Sequence, residues 1–226
     1  MRAMSRSVLL LVMLSPVTAA PLRAQAFEGT LTFLVHGVDG DKTITEWVKP
    51  PQTRYDFAPA SGSGPSGTMI INTATRTRTV IMPGRRMYMS APFDPAAHKA
   101  GTGEKSDVKW ARTGKTETVA GVKCEVIHGA GTENGKPREA DICVARGIGF
   151  GGGSTGGGPF SEALTEYANL NLGADEGIVK MTSIEGGHPQ VALELTRVDR
   201  RSLAVTDFQP PPGFTKYERP AGAAKP

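Results

Sequence analysis

Long apolar runs, aromatic side chains, cysteines and histidines are all scarce in this chain of 226 residues, and each scarcity excludes something. The longest apolar run, Val8 to Leu14, is too short to cross a bilayer as a helix. The aromatic content of 6%, beside 28 glycines and 17 prolines, points to short strands and turns rather than long helices. Only two cysteines occur, Cys124 and Cys143, too far apart for a C-x-x-C redox motif and too few for a zinc site. The four histidines, His36, His98, His128 and His188, show no ligand spacing such as H-E-x-x-H and read as isolated positions. No Gly-Lys-Ser/Thr phosphate loop is present, and nothing implies a cofactor.

What is present begins with a basic start (Arg2, Arg6), a short apolar core and the small-x-small end Ala24-Gln25-Ala26. That order is the pattern of a secretory signal peptide over residues 1–26, cleaved after Ala26. The expected product is periplasmic or secreted and not an integral membrane protein. The charge argument changes with cleavage. Losing Arg2, Arg6 and Arg23 leaves 23 basic against 22 acidic residues, so the +4 of the whole chain falls to +1. A nearly neutral chain offers no electrostatic case for nucleic acid.

From Phe27 onward the hydrophobic pattern repeats every two residues, as in half-buried strands. FEGTLTFLV sets Phe27, Leu31, Phe33 and Val35 on one face; TITEWVK, QTRYDF, TMII, TRTVIM and RMYMS follow, separated by turn residues such as Pro83-Gly84. Residues 91–107 read as irregular. Strands resume at VKWAR, TETVA, VKCEVIH, ADICVA, GIVKMTSIE, VALELTRVD and LAVTDF, and PPPGFTKY reads as a docked extended end. One helix is expected, over 159–172, where Phe160, Leu164 and Tyr167 recur at helical spacing behind the glycine-rich GIGFGGGSTGGG. The expectation is one mainly β domain over 27–219, an antiparallel sheet with a late helix and a frayed tail at 220–226.

FEGTLTF, TITEWVKPPQTRYDF and GTMIINTATRTRTVIMPGRRMYMS resemble the opening of LolA/LolB-like proteins, the outer-membrane lipoprotein carriers. TGKTETVAGVKCEVIHG, ADICVARGIG and DFQPPPGFTKY resemble domain-of-unknown-function family 4412. The resemblance implies a curved antiparallel half-barrel with a helix against its concave face and an apolar cavity between them. It implies no catalytic activity. The cysteine pair and the glycine stretch depart from the carriers.

The cysteines read as a staple. If residues 124–143 form a hairpin through Thr132–Gly135, Cys124 lies opposite Cys143; with a tight Asn134-Gly135 turn the two are offset by two residues. Either register leaves them on one face, and only the first brings them close without a bulge. An oxidising compartment favours the bond.

Other candidates are weaker. Gly152-Gly153-Ser154-Thr155-Gly156 matches G-x-S-x-G, but a nucleophile elbow needs a parallel strand-turn-helix setting absent from this pattern. Nothing in the sequence brings Glu28, Glu46, Asp56 or Asp94 together as a glycosidase pair. Met87 and Met89, with Phe33, Trp47, Phe160, Leu164 and Tyr167, are the candidate lining of an apolar pocket. The expected function is therefore an exported, non-enzymatic protein holding a lipid-like or apolar ligand between sheet and helix. The alternative is a structural or interaction module of the cell envelope with a filled core, and a hydrolase is the distant third.

Overall fold

The computed structural model describes residues 27–37, 40–58, 66–92, 107–133, 135–148, 170, 172–173, 175–185 and 187–218. Residues 1–26 with the expected signal peptide, the expected helix but for Leu170 and Leu172, and the tail 220–226 lie outside the described residues, as do Phe160, Leu164 and Tyr167.

The described residues build one open, curved sheet of twelve strands. They are β1 (Gly29–Val35), β2 (Lys42–Lys49), β3 (Gln52–Ala58), β4 (Gly67–Asn72), β5 (Thr77–Met82), β6 (Met87–Pro92), β7 (Lys109–Val119), β8 (Val122–Glu133), β9 (Lys136–Arg146), β10 (Glu176–Glu185), β11 (His188–Arg200) and β12 (Thr215–Lys216). Their spatial order is β12-β6-β5-β4-β3-β2-β1-β11-β10-β9-β8-β7. Two meanders, β1–β6 and β7–β11, are thus joined by the pairing of β1 with β11. Every pairing is antiparallel except that of β12 with β6, which is parallel, so the sheet is mixed.

Local chemistry explains several boundaries. Pro50-Pro51 interrupt donation between β2 and β3. Asn72 Oδ1 accepts from the N–H groups of Ala74 and Thr75, closing the turn from β4 to β5. Two sequence expectations are corrected. VKWAR and TETVA are one strand, β7, kept continuous by a bulge between Arg112 and Thr116 in which Gly114 takes φ +71°. LAVTDF is not a strand. Its Val205–Phe208 part is a 3-10 turn, in which Asp207 Oδ2 accepts from the Ala204 N–H.

Directly paired residues share a face, so the registers define two faces. One carries Leu31, Phe33, Ile44, Tyr55, Met69, Ile71, Ile142, Met181, Leu193 and Leu195, all buried in the larger apolar core. We call it the inner face. On the other, Ile70 and Ile81 with half-buried Trp47 and Tyr88 form a smaller cluster beneath the C-terminal Leu203, Phe208 and Phe214.

The staple is present: Cys124 and Cys143 are disulfide-bonded. The register, however, is the one expected not to form it. Glu133 pairs with Lys136, Cys124 with Ala145 and Val126 with Cys143, so the cysteines are diagonal neighbours in a ladder without a bulge. Their Cα atoms are nevertheless 5.4 Å apart, inside the range a disulfide spans. Diagonal positions in a flat sheet are farther apart, and right-handed twist shortens one diagonal at the expense of the other.

Candidate functional site

On the inner face one lateral row crosses seven strands. Val198 pairs with Leu31, Leu31 with Glu46, Glu46 with Tyr55, Tyr55 with Met69, Met69 with Val80 and Val80 with Met89. Five of these side chains are apolar and two are not. Leu31, Glu46 and Tyr55 are fully buried, whereas Val80 and Met89 are half-buried. The row therefore opens towards the β6 edge.

Glu46 is the anomaly. Isolation of a carboxylate from water strongly disfavours its charge. Burial pushes the Glu46 carboxyl up to about 8, so it is uncharged at neutral pH. The neighbouring Tyr55 hydroxyl opposes that shift without overcoming it. Burial and the adjacent Glu46 together push the Tyr55 phenol well above its ordinary value. Lys49 and Arg54 are engaged elsewhere: Lys49 Nζ lies 2.6 Å from Glu28, and Arg54 Nε 2.9 Å from Asp56.

The sequence-derived pocket residues divide between the faces. Phe33 is fully buried on the inner face. Met89 lies in the row, and Met87, two residues earlier on β6, shares its face. Trp47 does not join them. It belongs to the opposite face, where the guanidinium groups of Arg54 and Arg201 each lie 5.1 Å from its ring. The carboxylates also stay apart. Asp56 faces away from Glu46 and accepts from Arg54 and Thr68, while Glu28 accepts from Lys49 and the Leu203 N–H. Asp94 lies outside the described residues. The Leu203 N–H, and then Lys49, hold the Glu28 carboxyl below its usual range.

A second polar cluster occupies the inner face at β7–β10. Arg112 Nη1 donates to Glu125 at 2.7 Å, and Nη2 reaches Glu176 at 2.8 Å. Glu176 also accepts from the Gly173 N–H and faces Arg146 Nε at 3.5 Å. The Gly173 N–H, followed by Arg112 and Arg146, draws the Glu176 carboxyl below its usual range; Glu125 and Glu176 raise Arg112. Every charge here has a counter-charge. This is a structural clasp between edge and centre of the sheet.

On the outer face, the register that offsets the cysteines sets His128 opposite Asp141. His128 Nδ1 lies 2.8 Å from Asp141 Oδ1, and Nε2 lies 3.8 Å from Glu139 Oε1. They line an open cleft of about 700 Å³ with Thr113, Lys115, Thr116, Glu117, Val126 and Ile184. The histidine reading as an isolated position is thus incomplete, because parity alone could not supply its partner. Among the described residues no group of His, Cys, Asp or Glu is arranged to hold a metal ion.

The family model described as a domain of unknown function, DUF4412, matches residues 27–214. The chain belongs to this family. No curated protein matches the sequence. Two solved structures of PNGF-II, in the C2 and P21 space groups, resemble this DUF4412 chain at 12% and 11% identity with TM-scores of 0.45 and 0.42. They align with 85% and 80% of this chain, which spans 31% and 30% of theirs. No function follows from that likeness. Among the described residues no helix is long and apolar enough to cross a membrane, and the disulfide is consistent with an oxidising compartment.

Proposed function

We propose that this DUF4412 chain is an exported, non-enzymatic binding protein that holds an apolar, lipid-like ligand against the inner face of its sheet, in the manner of a LolA-like half-barrel. The observation that carries the reading is the graded row from Leu31 to Met89. It is apolar but for Glu46 and Tyr55, and it passes from full burial at β1–β3 to half-burial at β5 and β6. Methionines at the open end, Met82, Met87 and Met89, suit a surface that must adapt to flexible chains. The leader over residues 1–26 and the disulfide fit a protein working outside the cytoplasm.

The full burial of Leu31, Phe33 and Tyr55 favours a second reading, an envelope interaction module whose interior is filled by its own side chains. Native mass spectrometry of protein purified from its own envelope without detergent separates the two. A carrier retains adducts of lipid mass that organic extraction removes and added lipid restores. A bare polypeptide mass before and after lipid addition contradicts the carrier.

A further inference from the structure

We propose that Arg78 anchors the head group of a long-chain fatty carboxylate whose tail lies along Val80, Met82, Met87 and Met89 on the inner face of β5 and β6. The inference rests on the carrier reading and names the ligand class that the open end of the same face would select.

Register places Arg78 among apolar side chains. It pairs with Ile71 on β4 and with Ala91 on β6, and Val80 and Met82 follow it on the same face of β5. Ile71 is fully buried, whereas Arg78, Val80, Met82, Met87, Met89 and Ala91 are all half-buried. An arginine in such a place rests its stem on apolar neighbours and keeps its head within reach of water. A ligand head therefore needs no sealed chamber to meet it.

What the guanidinium lacks is a counter-charge. Arg54, Arg112 and Arg146 each face a carboxylate, but the Arg78 side chain has no ion pair or hydrogen bond among the described residues. The neighbouring strands supply no acid. Residues 66–92 hold four arginines, Arg76, Arg78, Arg85 and Arg86, and no aspartate or glutamate. On β3 the one acid, Asp56, faces the other side of the sheet and accepts from Arg54.

A fatty carboxylate matches both halves of this surface. Its two oxygens accept the forked N–H groups of a guanidinium, and it brings the missing single negative charge. A long-chain amine would be repelled, and an alcohol would bring no charge. The tail has a path along the strands: the four residues from Arg78 to Met82 cover about 14 Å at ~3.4 Å each, with β6 ~4.8 Å to the side. Methionine at three of the four tail positions suits a flexible chain.

The test is titration calorimetry with tetradecanoate and tetradecanol, at monomeric concentrations near neutral pH. The wild type is expected to bind the carboxylate at least about tenfold more tightly than the alcohol. Arg78→Gln should keep alcohol binding and lose the preference. Arg78→Lys, which keeps the charge but not the fork, should retain part of the preference; it also guards against a folding failure of the Gln variant. Arg76→Gln, which alters an exposed arginine of the preceding turn, should bind as the wild type does. Equal binding of both chains by the wild type, a preference that survives in Arg78→Gln, or a matching loss in Arg76→Gln overturns the anchor and leaves the carrier standing. Binding of neither chain overturns both.

Discussion

Glu46 shows how one residue can set the pH behaviour of the whole sheet. Its folded-state pKa of about 8 lies above the ordinary 4.5 of the unfolded chain. Between those values the folded state holds a proton that the unfolded state has released, so stability falls as pH rises, by up to about 1.4 kcal/mol per pH unit. The contribution is complete below the unfolded value and gone above the folded one. Urea unfolding across that window should show the decline in the wild type and a flatter profile in Glu46→Gln. Parallel profiles would mean that Glu46 is not isolated from water. Glu176 acts in the opposite sense. Its carboxyl is depressed by Gly173, Arg112 and Arg146, so its stabilisation is present above the ordinary 4.5 and is lost as pH falls through the folded value. Glu176→Gln should therefore lower stability at neutral pH and weaken its dependence on pH on the acid side.

At this scale the sequence was informative in an indirect way. The alternation in TITEWVK sets Ile44, Glu46 and Val48 on one face and Trp47 on the other. Apolar character alone suggested Trp47 as a pocket residue, whereas period-two parity places it opposite Phe33 and makes Glu46 the exception on the core face. The partner of His128 was hidden for a different reason. Its pairing with Asp141 depends on hairpin register, which side-chain periodicity leaves open by steps of two residues.

Among the elements, the β8–β9 hairpin is the most consequential. Its disulfide joins diagonal rather than opposite positions, which only a twisted ladder permits. In the chain-entropy account a loop of this size contributes about 3 kcal/mol. The double variant Cys124→Ser with Cys143→Ser should lose stability of that order in denaturant unfolding. An unchanged midpoint would mean that the hairpin holds its shape without the bond. Close packing makes a second demand nearby. Gly129 lies opposite Trp110 across β7 and β8, and a methyl group at Gly129 would collide with the indole ring. Gly129→Ala should cost about 1–3 kcal/mol by displacing the ring. Gly121→Ala, where a Cβ meets open space, tests backbone strain alone. Strands were legible because half-burial imposes a period of two. The Gly114 bulge and the 3-10 turn at Val205–Phe208 were not, because the bonds that accompany them, Lys115 N–H to Thr113 Oγ1 and Ala204 N–H to Asp207 Oδ2, join residues close in sequence and leave no hydrophobic period.

For the molecule as a whole, β-rich architecture was legible, but the sequence could not reveal that β1 and β11 join two meanders into a single twelve-stranded sheet. That pairing joins the first strand to the eleventh, and only tertiary packing decides it. It also makes the inner face continuous, and continuity is what the carrier reading requires. The decisive measurement compares two adjacent residues that point to opposite faces of β6. Met89 closes the inner row, and Ser90 is exposed on the other side. Equilibrium binding of radiolabelled tetradecanol should be saturable for the wild type and for Ser90→Arg, and abolished in Met89→Arg with folding intact by circular dichroism. Indistinguishable isotherms for all three proteins would contradict a ligand held on the inner face.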